Sequence, residues 1–281
     1  MSRRGTISRT GGPWVSAVAL LLALFWVFPV YWMLNTALKP RKDVMSATPK
    51  FFPGPPSLDN FRTALTQTNF AGDLRNSVIV VGATVLVSLG LGLFAAAALT
   101  RFTFRGRRTI MISILVVQMV PPSALLIPTF LVFNKIGLLG TYLGLVLAYL
   151  ALVLPFSIWV MRGFFLAVPV EVEEAGRLDG ASQWQILTKI LFPLVVPGAV
   201  ATSIFTFITA WNDYLIAYTF MQDQNRYTLP VWLASFTTPD KGTDFASQMA
   251  ASVLFSLPVV IFFLFLQRRL VSGMSAGAVK G

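Results

Sequence analysis

Residues 171–197 read EVEEAGRLDGASQWQILTKILFPLVVP, the longest run in this chain that combines charge with helical periodicity. Glu173 and Glu174 stand near its beginning, where carboxylates favour the positive end of a helix dipole. Pro169, just before the run, fits the first position of a helix because its missing N–H would have no partner there. Gly180 can end that helix by adopting a positive φ angle. The stretch therefore predicts a short first helix that stops at Gly180.

The second half of the run predicts another helix, from about Ser182 to Pro193. Its apolar residues recur at helical spacing and form one stripe, which consists of Trp184, Leu187, Ile190 and Leu191. Together the two segments make a helix-turn-helix that is polar outside and apolar on one side. A plain connecting loop is the less favoured alternative, because such loops rarely carry two capped helices.

The composition indicates a membrane protein. Of the 281 residues, 56% are hydrophobic and 12% are charged, with a mean hydropathy of +0.72. A soluble domain has about 25% charged residues. The net charge of +11 raises the possibility of nucleic-acid binding. However, Lys and Arg cluster at the ends of apolar segments, as membrane topology requires, so nucleic acid is rejected as a partner and the lipid bilayer is expected instead.

Cysteine and histidine are both absent from the sequence. Their absence excludes disulfides, thiol catalysis and the usual transition-metal ligands, so no metal site is predicted. An integral-membrane enzyme would need several catalytic groups that converge on one point. The chain offers few, and we predict no catalytic residue.

Six apolar segments predict an all-α membrane protein with six transmembrane helices. The first is longer than the 7–15-residue core of a signal peptide, so we expect it to be retained. Pro121-Pro122 and Pro128 interrupt the third. The predicted spans cover residues 14–38, 76–100, 110–133, 141–161, 198–220 and 245–267.

The remaining segments are predicted to be loops and tails around a six-span domain of residues 14–267. Residues 39–75 form a long polar loop whose prolines disfavour regular helix, although Ser57–Phe61 is typical of the start of a short amphipathic helix. Residues 1–13 and 268–281 are the terminal tails. Six spans place both termini on the same side of the membrane. The distribution of Lys and Arg residues modestly favours the cytoplasm as that side.

The sequence contains no G-x-x-x-x-G-K-[ST] phosphate loop, so the chain is not expected to hydrolyse ATP itself. A proton-coupled carrier would place several ionisable groups inside the spans, and Asp213 is essentially the only one. Energy for transport must then arrive through contact with another protein, and the helix-turn-helix is the obvious point of contact. A passive channel or receptor would leave that structure without a purpose.

The same run resembles the EAA motif of ABC importer permeases. The motif has E-A-A, then G, then I and L-P at fixed spacings, and two positions depart because Gly176 replaces Ala and Phe192 replaces Leu. A following D-G-A is typical of the carbohydrate branch, which includes the smaller permease subunit of maltose importers. The residues that carry the resemblance are Glu174-Ala175-Gly176, Asp179-Gly180-Ala181, Ile190 and Phe192-Pro193.

The resemblance implies a permease subunit of a sugar or oligosaccharide importer in a bacterial or archaeal cytoplasmic membrane, with both termini in the cytoplasm. It implies that residues 169–197 are a cytoplasmic EAA loop between spans four and five. The implied partners are a second homologous permease, two ATPase subunits or domains and an extracytoplasmic substrate-binding protein. ATP would be bound and hydrolysed by the ATPase, so this chain would need no cofactor and would not be an enzyme. The implied ATPase-coupling residues are Glu173, Glu174, Ala175, Gly176, Asp179, Gly180, Ala181, Ile190 and Pro193.

The fifth predicted span carries an unusual number of polar residues. Thr202, Thr206, Thr209 and Asp213 share one helix face, with Asn212 beside it. A polar face inside a span indicates either a water-filled path or hydrogen bonds between helices, and the sequence leaves both open. The candidate path residues are Thr206, Thr209, Asn212 and Asp213.

The cargo has an alternative within the same machinery. A glycerol-3-phosphate or polyol importer would share the fold and the coupling loop. Recognition of a phosphate would favour Arg or Lys in the path, and none is predicted inside the spans. The second permease could supply such residues, so this alternative stays open. The resemblance to the carbohydrate branch favours a sugar, and a channel or enzyme outside the ABC class is the more distant alternative.

Overall fold

The computed structural model describes residues 13–46, 48–66, 69–238 and 242–277, with side chains as far as residue 267. The predicted N-terminal tail and the last four residues fall outside this part, apart from Pro13. The described residues belong to two compact units, one within residues 1–67 and 236–254 and the other within residues 68–235 and 255–281.

The described residues are almost entirely helical, as the sequence predicts. One antiparallel pair joins the two-residue strands β1 (Thr237–Thr238) and β2 (Gly242–Thr243). The helices are α1 Pro13–Leu38, α2 Arg41–Val44, α3 Asp59–Thr66, α4 Phe70–Arg101, α5 Arg107–Val117, α6 Pro122–Lys135, α7 Tyr142–Ala167, α8 Glu171–Leu178, α9 Gln183–Gln185, a π-helix Ile186–Leu191, α10 Phe192–Leu194, α11 Val196–Trp211, α12 Leu215–Phe220, a 3₁₀ turn Gln224–Arg226, α13 Leu229–Ala234 and α14 Phe245–Gly277.

Among the described residues, four helices are long and apolar enough to cross a membrane: α1, α4, α7 and the first part of α14, Phe245–Gln267. Two bent pairs raise the number to six if each pair counts as one span. In one pair, α5 and α6 meet at 104°, and in the other the segment Gln183–Leu194 meets α11 at 69°. The structure therefore carries four to six candidate spans.

The third predicted span is interrupted where the sequence places its double proline. Pro121 lacks an N–H and disfavours helical backbone at the residue before it, so α5 ends at Val117 and α6 begins at Pro122. The interruption is confirmed, and its size, a bend of 104°, exceeds a simple kink. Pro128, by contrast, lies inside α6, which continues through it.

The fifth predicted span is also interrupted, which the sequence did not predict. Helix α11 ends at Trp211 and α12 begins only at Leu215. The Asp213 carboxylate accepts a hydrogen bond from the Ala217 N–H at 3.0 Å, so it binds the first turn of α12 in place of the missing helical bond. The prediction of one continuous polar face through Asp213 is therefore wrong, because the helix stops before that residue.

The long loop after α1 contains more helix than its prolines suggest. The predicted short helix is confirmed as α3, and α4 begins at Phe70, six residues before the predicted span at residue 76. Asn60 is buried, and its side-chain N–H₂ donates to the carbonyl oxygens of Ala37 and Lys39 at 2.9 and 2.8 Å. These bonds fasten the start of α3 to the end of α1.

Helix α14 extends beyond the C-terminal end predicted for the sixth span. The sequence assigns residues 268–281 to a tail, whereas α14 continues to Gly277.

Candidate functional site: the helix pair of residues 171–194

The first helix of the pair ends in the way that its sequence predicts. Gly180 has a φ angle of +80°. The Ala181 N–H donates to the Gly176 carbonyl at 3.0 Å, and the Gly180 N–H donates to the Arg177 carbonyl at 3.0 Å. These two bonds form a Schellman motif, in which glycine is favoured because it adopts positive φ without strain. Helix α8 begins at Glu171, so Pro169 lies before the helix and not at its first position.

The second helix begins with a capping box that the sequence carries as S-x-x-Q. The Gln185 N–H donates to the Ser182 hydroxyl at 3.3 Å, and the Ser182 N–H donates to the Gln185 side-chain oxygen at 2.8 Å. The two bonds satisfy N–H groups that have no partner within the helix. The turn between the two helices is therefore fixed from both sides, by Gly180 and by Ser182.

The middle of the second helix is a π-helix, from Ile186 to Leu191. The Phe192 N–H bonds to the Leu187 carbonyl, five residues back, where an α-helix would bond four back. Pro193 follows directly, and a proline ring in an α-helix would clash with the carbonyl four residues before it. The wider turn relieves that clash, and it also rotates the side chains away from their α-helical positions.

The rotation changes which side chains face inward. Ile186 and Leu191 are buried, whereas Trp184 is 62% exposed and stacks on Phe94 of α4 with ring centroids 6.0 Å apart. Of the predicted apolar stripe, Leu191 is buried, Leu187 and Ile190 pack against the core, and Trp184 lies outside it. Ile186, which α-helical spacing does not assign to the stripe, is an additional core residue.

Gly176 lies where α8 packs against the second helix. A Cβ atom at this position would lie 2.7 Å from Ile190 Cδ1 and 3.4 Å from Ile186 Cγ1. An alanine, which the EAA motif has at this position, would add a methyl group there. Glycine therefore allows the two helices of the pair to lie closer together. Gly176 is buried, so its small size serves packing within the pair.

Glu173 fastens the pair to the rest of its unit. It is 2% exposed and forms an ion pair with Arg101 at the end of α4, and Arg177 lies 3.8 Å from its other oxygen. Arg101 also donates to the Val168 carbonyl at 2.9 Å. The carboxylate lies in the first turn of one helix and the guanidinium in the last turn of another, so both helix dipoles favour these charges.

The nine residues predicted to contact an ATPase thus lie in two environments. Glu173 and Gly176 are buried, and Ala181 and Ile190 pack against the core below the pair. The other five are exposed: Glu174, Ala175, Asp179, Gly180 and Pro193.

Leu178 is an exposed apolar residue that sequence reasoning missed. Its side chain is 88% exposed at the last position of α8, directly before Asp179 and Gly180. An apolar residue between two polar neighbours gives no periodic signal. The exposed residues around the turn from Glu174 to Gly180, with Leu178 among them, form what we call the turn face.

The candidate path residues lie in different environments. Thr206 is 1% exposed, and its hydroxyl lies 3.5 Å from the Ser88 hydroxyl and 3.4 Å from the Ser157 hydroxyl. Ser88 and Ser157 are 3.3 Å apart, so the three residues form a hydroxyl cluster between α4, α7 and α11. This geometry is that of hydrogen bonding between helices, which the sequence left open as the alternative to a path.

The other three candidates lie at or near the break between α11 and α12. Asn212 is exposed and donates to the Ile208 carbonyl at 2.8 Å, whereas Thr209 is half-buried. Asp213 accepts from the Tyr149 hydroxyl at 3.1 Å as well as from the Ala217 N–H. Asp213 therefore has a structural partner on α7 and caps α12.

Similarity to known proteins extends over most of the chain. The family model "Binding-protein-dependent transport system inner membrane component" matches residues 88–276. The diacetylchitobiose uptake system permease protein of Streptomyces coelicolor is 39% identical over 271 residues, which cover 96% of this chain and 98% of that protein. The trehalose transport system permease protein of Mycobacterium tuberculosis is 34% identical over 256 residues, which cover 91% and 93%.

The fold has a counterpart among solved structures. A chain in the crystal structure of a bacterial ABC transporter involved in the import of the acidic polysaccharide alginate matches with a TM-score of 0.77. The match covers 90% of this chain and 94% of that chain at 24% identity, so it establishes the fold. With a family model that matches well over half of the sequence, the chain belongs to the binding-protein-dependent transport system inner membrane components, and it is an ABC transporter permease, a transport component and not an enzyme.

Proposed function

We propose that this chain is the permease subunit that forms half of the translocation path for a sugar or oligosaccharide. The relatives at 39% and 34% identity are named for the uptake of diacetylchitobiose and trehalose. A relative from Thermococcus litoralis, at 33% identity over 94% of this chain, is a trehalose/maltose permease. Similar subunits for chemically related cargo support a carbohydrate over glycerol-3-phosphate or a polyol.

The proposed topology has six spans, with α5–α6 and α11–α12 as the third and fifth. In this arrangement both termini, the arginine-rich turn after α4 and the helix pair lie in the cytoplasm. The charge distribution supports this side, because positively charged residues favour cytoplasmic loops. Residues 39–75 then lie outside the cell and are available to an extracytoplasmic binding protein.

The helix pair is proposed to be the EAA loop that receives the motion of the ATPase. The observation that carries this proposal is its two-sided construction. The turn face is exposed and unoccupied by other described residues, while Glu173 on the other side is ion-paired to Arg101 of α4. A push on the turn face therefore reaches the end of a 32-residue helix through a buried charged contact.

The proposed partners follow from the same roles. A second, homologous permease completes the path, and two ATPase subunits or domains bind and hydrolyse the ATP, so this chain needs no cofactor of its own. The substrate arrives from the binding protein. Thr209 and Asn212, at the end of α11, remain the best candidates for contact with the path. The Thr206 hydroxyl lies within bonding distance of Ser88, and Asp213 already bonds to Tyr149 on α7.

The test is purification in mild detergent from the native host, with mass spectrometry of the proteins that accompany the chain. Gly180→Trp places a large side chain at a positive φ in the turn face. Gly137→Trp is the matched control, since Gly137 also has a positive φ (+70°) and open space around it, but lies in the turn after α6. We expect an ATPase and a second permease with the natural chain and the control, and loss of the ATPase with Gly180→Trp.

The opposite results are equally informative. If the well-folded natural chain repeatedly purifies without an ATPase, the coupling proposal is wrong. If both tryptophan variants lose the ATPase equally, general strain is responsible and the turn face is not the contact. A binding protein recovered in the same purification can be screened against sugars, polyols and glycerol-3-phosphate to decide the cargo.

A further inference from the structure

A basic recess lies between the start of α5 and the end of α7. It has a volume of about 630 Å³ and is separate from the helix pair and the candidate path residues. Three arginines line it: Arg107 and Arg108 on the first turn of α5, and Arg162 on α7. The sequence explained the arginine-rich turn only through membrane topology, which does not account for a concave site.

The three guanidinium groups lack a negatively charged partner in the part of the chain that the structure describes. Among the described residues, no carboxylate lies within ion-pair distance of any of them. The Nε atom of Arg162 is buried and has no hydrogen-bond partner within the described part of the chain. Its guanidinium lies 5.8 Å from the centre of the Trp159 ring, which holds it at the wall of the recess. Buried donors without partners are costly, so the arrangement favours an anion.

The other wall of the recess is apolar. Met111, Ile112 and Leu115 continue along α5 from the two arginines, toward the middle of the helix. Arg162 lies five residues before the end of α7, or about 7.5 Å along its axis. The recess thus has arginines at one end and an apolar wall along α5. This arrangement matches a molecule with an anionic head and an apolar tail.

We propose that this recess binds the phosphate headgroup of an anionic membrane phospholipid, with an acyl chain along Ile112 and Leu115. Arginine suits this ligand because its planar fork can bond two phosphate oxygens at once. A zwitterionic headgroup fits less well, since its own cation would face three guanidinium groups. Basic pockets between transmembrane helices are a known form of lipid recognition.

The test uses the transporter as purified, reconstituted in nanodiscs of equal parts phosphatidylglycerol and phosphatidylcholine. The assembly is then washed in detergent, and the retained lipids are quantified by mass spectrometry. The principal variant is Arg107→Gln with Arg108→Gln. Arg105→Gln is the matched control, because Arg105 is exposed in the same turn but does not line the recess.

We expect the natural protein and the control to retain phosphatidylglycerol in preference to phosphatidylcholine. The double variant should lower that preference about tenfold, since one charge-assisted hydrogen bond alone accounts for a change of that order. Arg162→Lys, which keeps the charge but loses the fork, should give a smaller loss. An unchanged preference in the double variant, or an equal loss in the control, would overturn the proposal.

A second arm separates the lipid from a free phosphate ion. Ile112→Asn with Leu115→Asn makes the apolar wall polar and leaves the arginines in place. A bound lipid requires this variant to lose phosphatidylglycerol as well. If the variant keeps it, or if inorganic phosphate displaces the lipid completely from the natural protein, the recess is a site for small anions and the proposal is wrong. This result does not depend on the coupling proposal.

Discussion

Among the polar contacts that join helices in the larger unit, two differ clearly in charge and in position. The ion pair of Arg101 and Glu173 lies at the ends of α4 and α8. The hydroxyl cluster of Ser88, Ser157 and Thr206 lies within the bundle, and each of its members is 1% exposed. A hydroxyl can lose a partner at modest cost, whereas a buried charge cannot. The charged contact therefore fixes where the helix pair sits, and the neutral one tolerates movement between helices.

The largest expected effect comes from breaking the charged contact. Glu173→Ala leaves Arg101 buried without its carboxylate, and we expect a loss of about 3–5 kcal/mol in the free energy of unfolding. Thermal unfolding of the detergent-purified protein measures it. The control is Glu174→Ala, the exposed neighbour, for which we expect a change within about 0.5 kcal/mol. Equal effects of the two substitutions would show that the ion pair does not fasten the helix pair.

The same contact can be replaced without leaving a charge behind. Arg101→Met combined with Glu173→Leu removes both groups, and we expect most of the stability lost in Glu173→Ala to return. If the double variant is less stable than the single one, the account of an uncompensated charge is wrong. Substrate uptake by the double variant then shows whether transport needs the charge itself or only the packing.

An intermediate effect is expected at Gly176, inside the helix pair. Gly176→Val introduces a Cβ atom that would lie 2.7 Å from Ile190 Cδ1. We expect this crowding to lower the free energy of unfolding by about 1–3 kcal/mol. In a chain that already carries Ile190→Ala, Gly176→Val should cost less, because the smaller side chain opens the space that valine needs. Ala175→Val, on the exposed side of the same helix, is the control. Thermal unfolding of Gly176→Val, Ile190→Ala, the double variant and Ala175→Val gives all four values. A loss in the double variant equal to the sum of the two single losses would contradict the packing described above.

The smallest effect is expected in the hydroxyl cluster. Ser157→Ala removes one hydroxyl and leaves Ser88 and Thr206 within reach of each other, at 3.5 Å. Hydrogen bonds between membrane helices contribute about 0.6 kcal/mol on average, and we expect a loss of that order. The same unfolding measurement applies. A loss as large as that of Glu173→Ala would remove the distinction between the two contacts.

The features that sequence reasoning predicted well are those governed by one residue type. The proline pair at 121–122 breaks its helix, although the single Pro128 does not, and Gly180 takes positive φ because glycine adopts it without strain. The apolar length of the spans is likewise visible in composition. For these reasons the helical fold class and the end of α8 could be predicted.

The features that were missed depend on partners far away in the sequence. Glu173 and Glu174 are adjacent and identical in type, yet only the first meets Arg101, 72 positions earlier. The π-helix shifts the phase of the apolar stripe, so Trp184 lies outside the core, against Phe94, where α-helical spacing predicts it to be buried. The break after Trp211 likewise separates Asp213 from the polar face that helical spacing assigns to it. Spacing alone assumes one regular helix, and both departures violate that assumption.

The central claim is that the turn face contacts the ATPase. A photo-crosslinking amino acid at Leu178, which is 88% exposed, tests it in native membranes, with Ile136, 57% exposed in the turn after α6, as the control position. We predict an ultraviolet-dependent product that contains the ATPase from position 178 and none from position 136. No ATPase product from position 178, or the same product from both positions, would contradict the account.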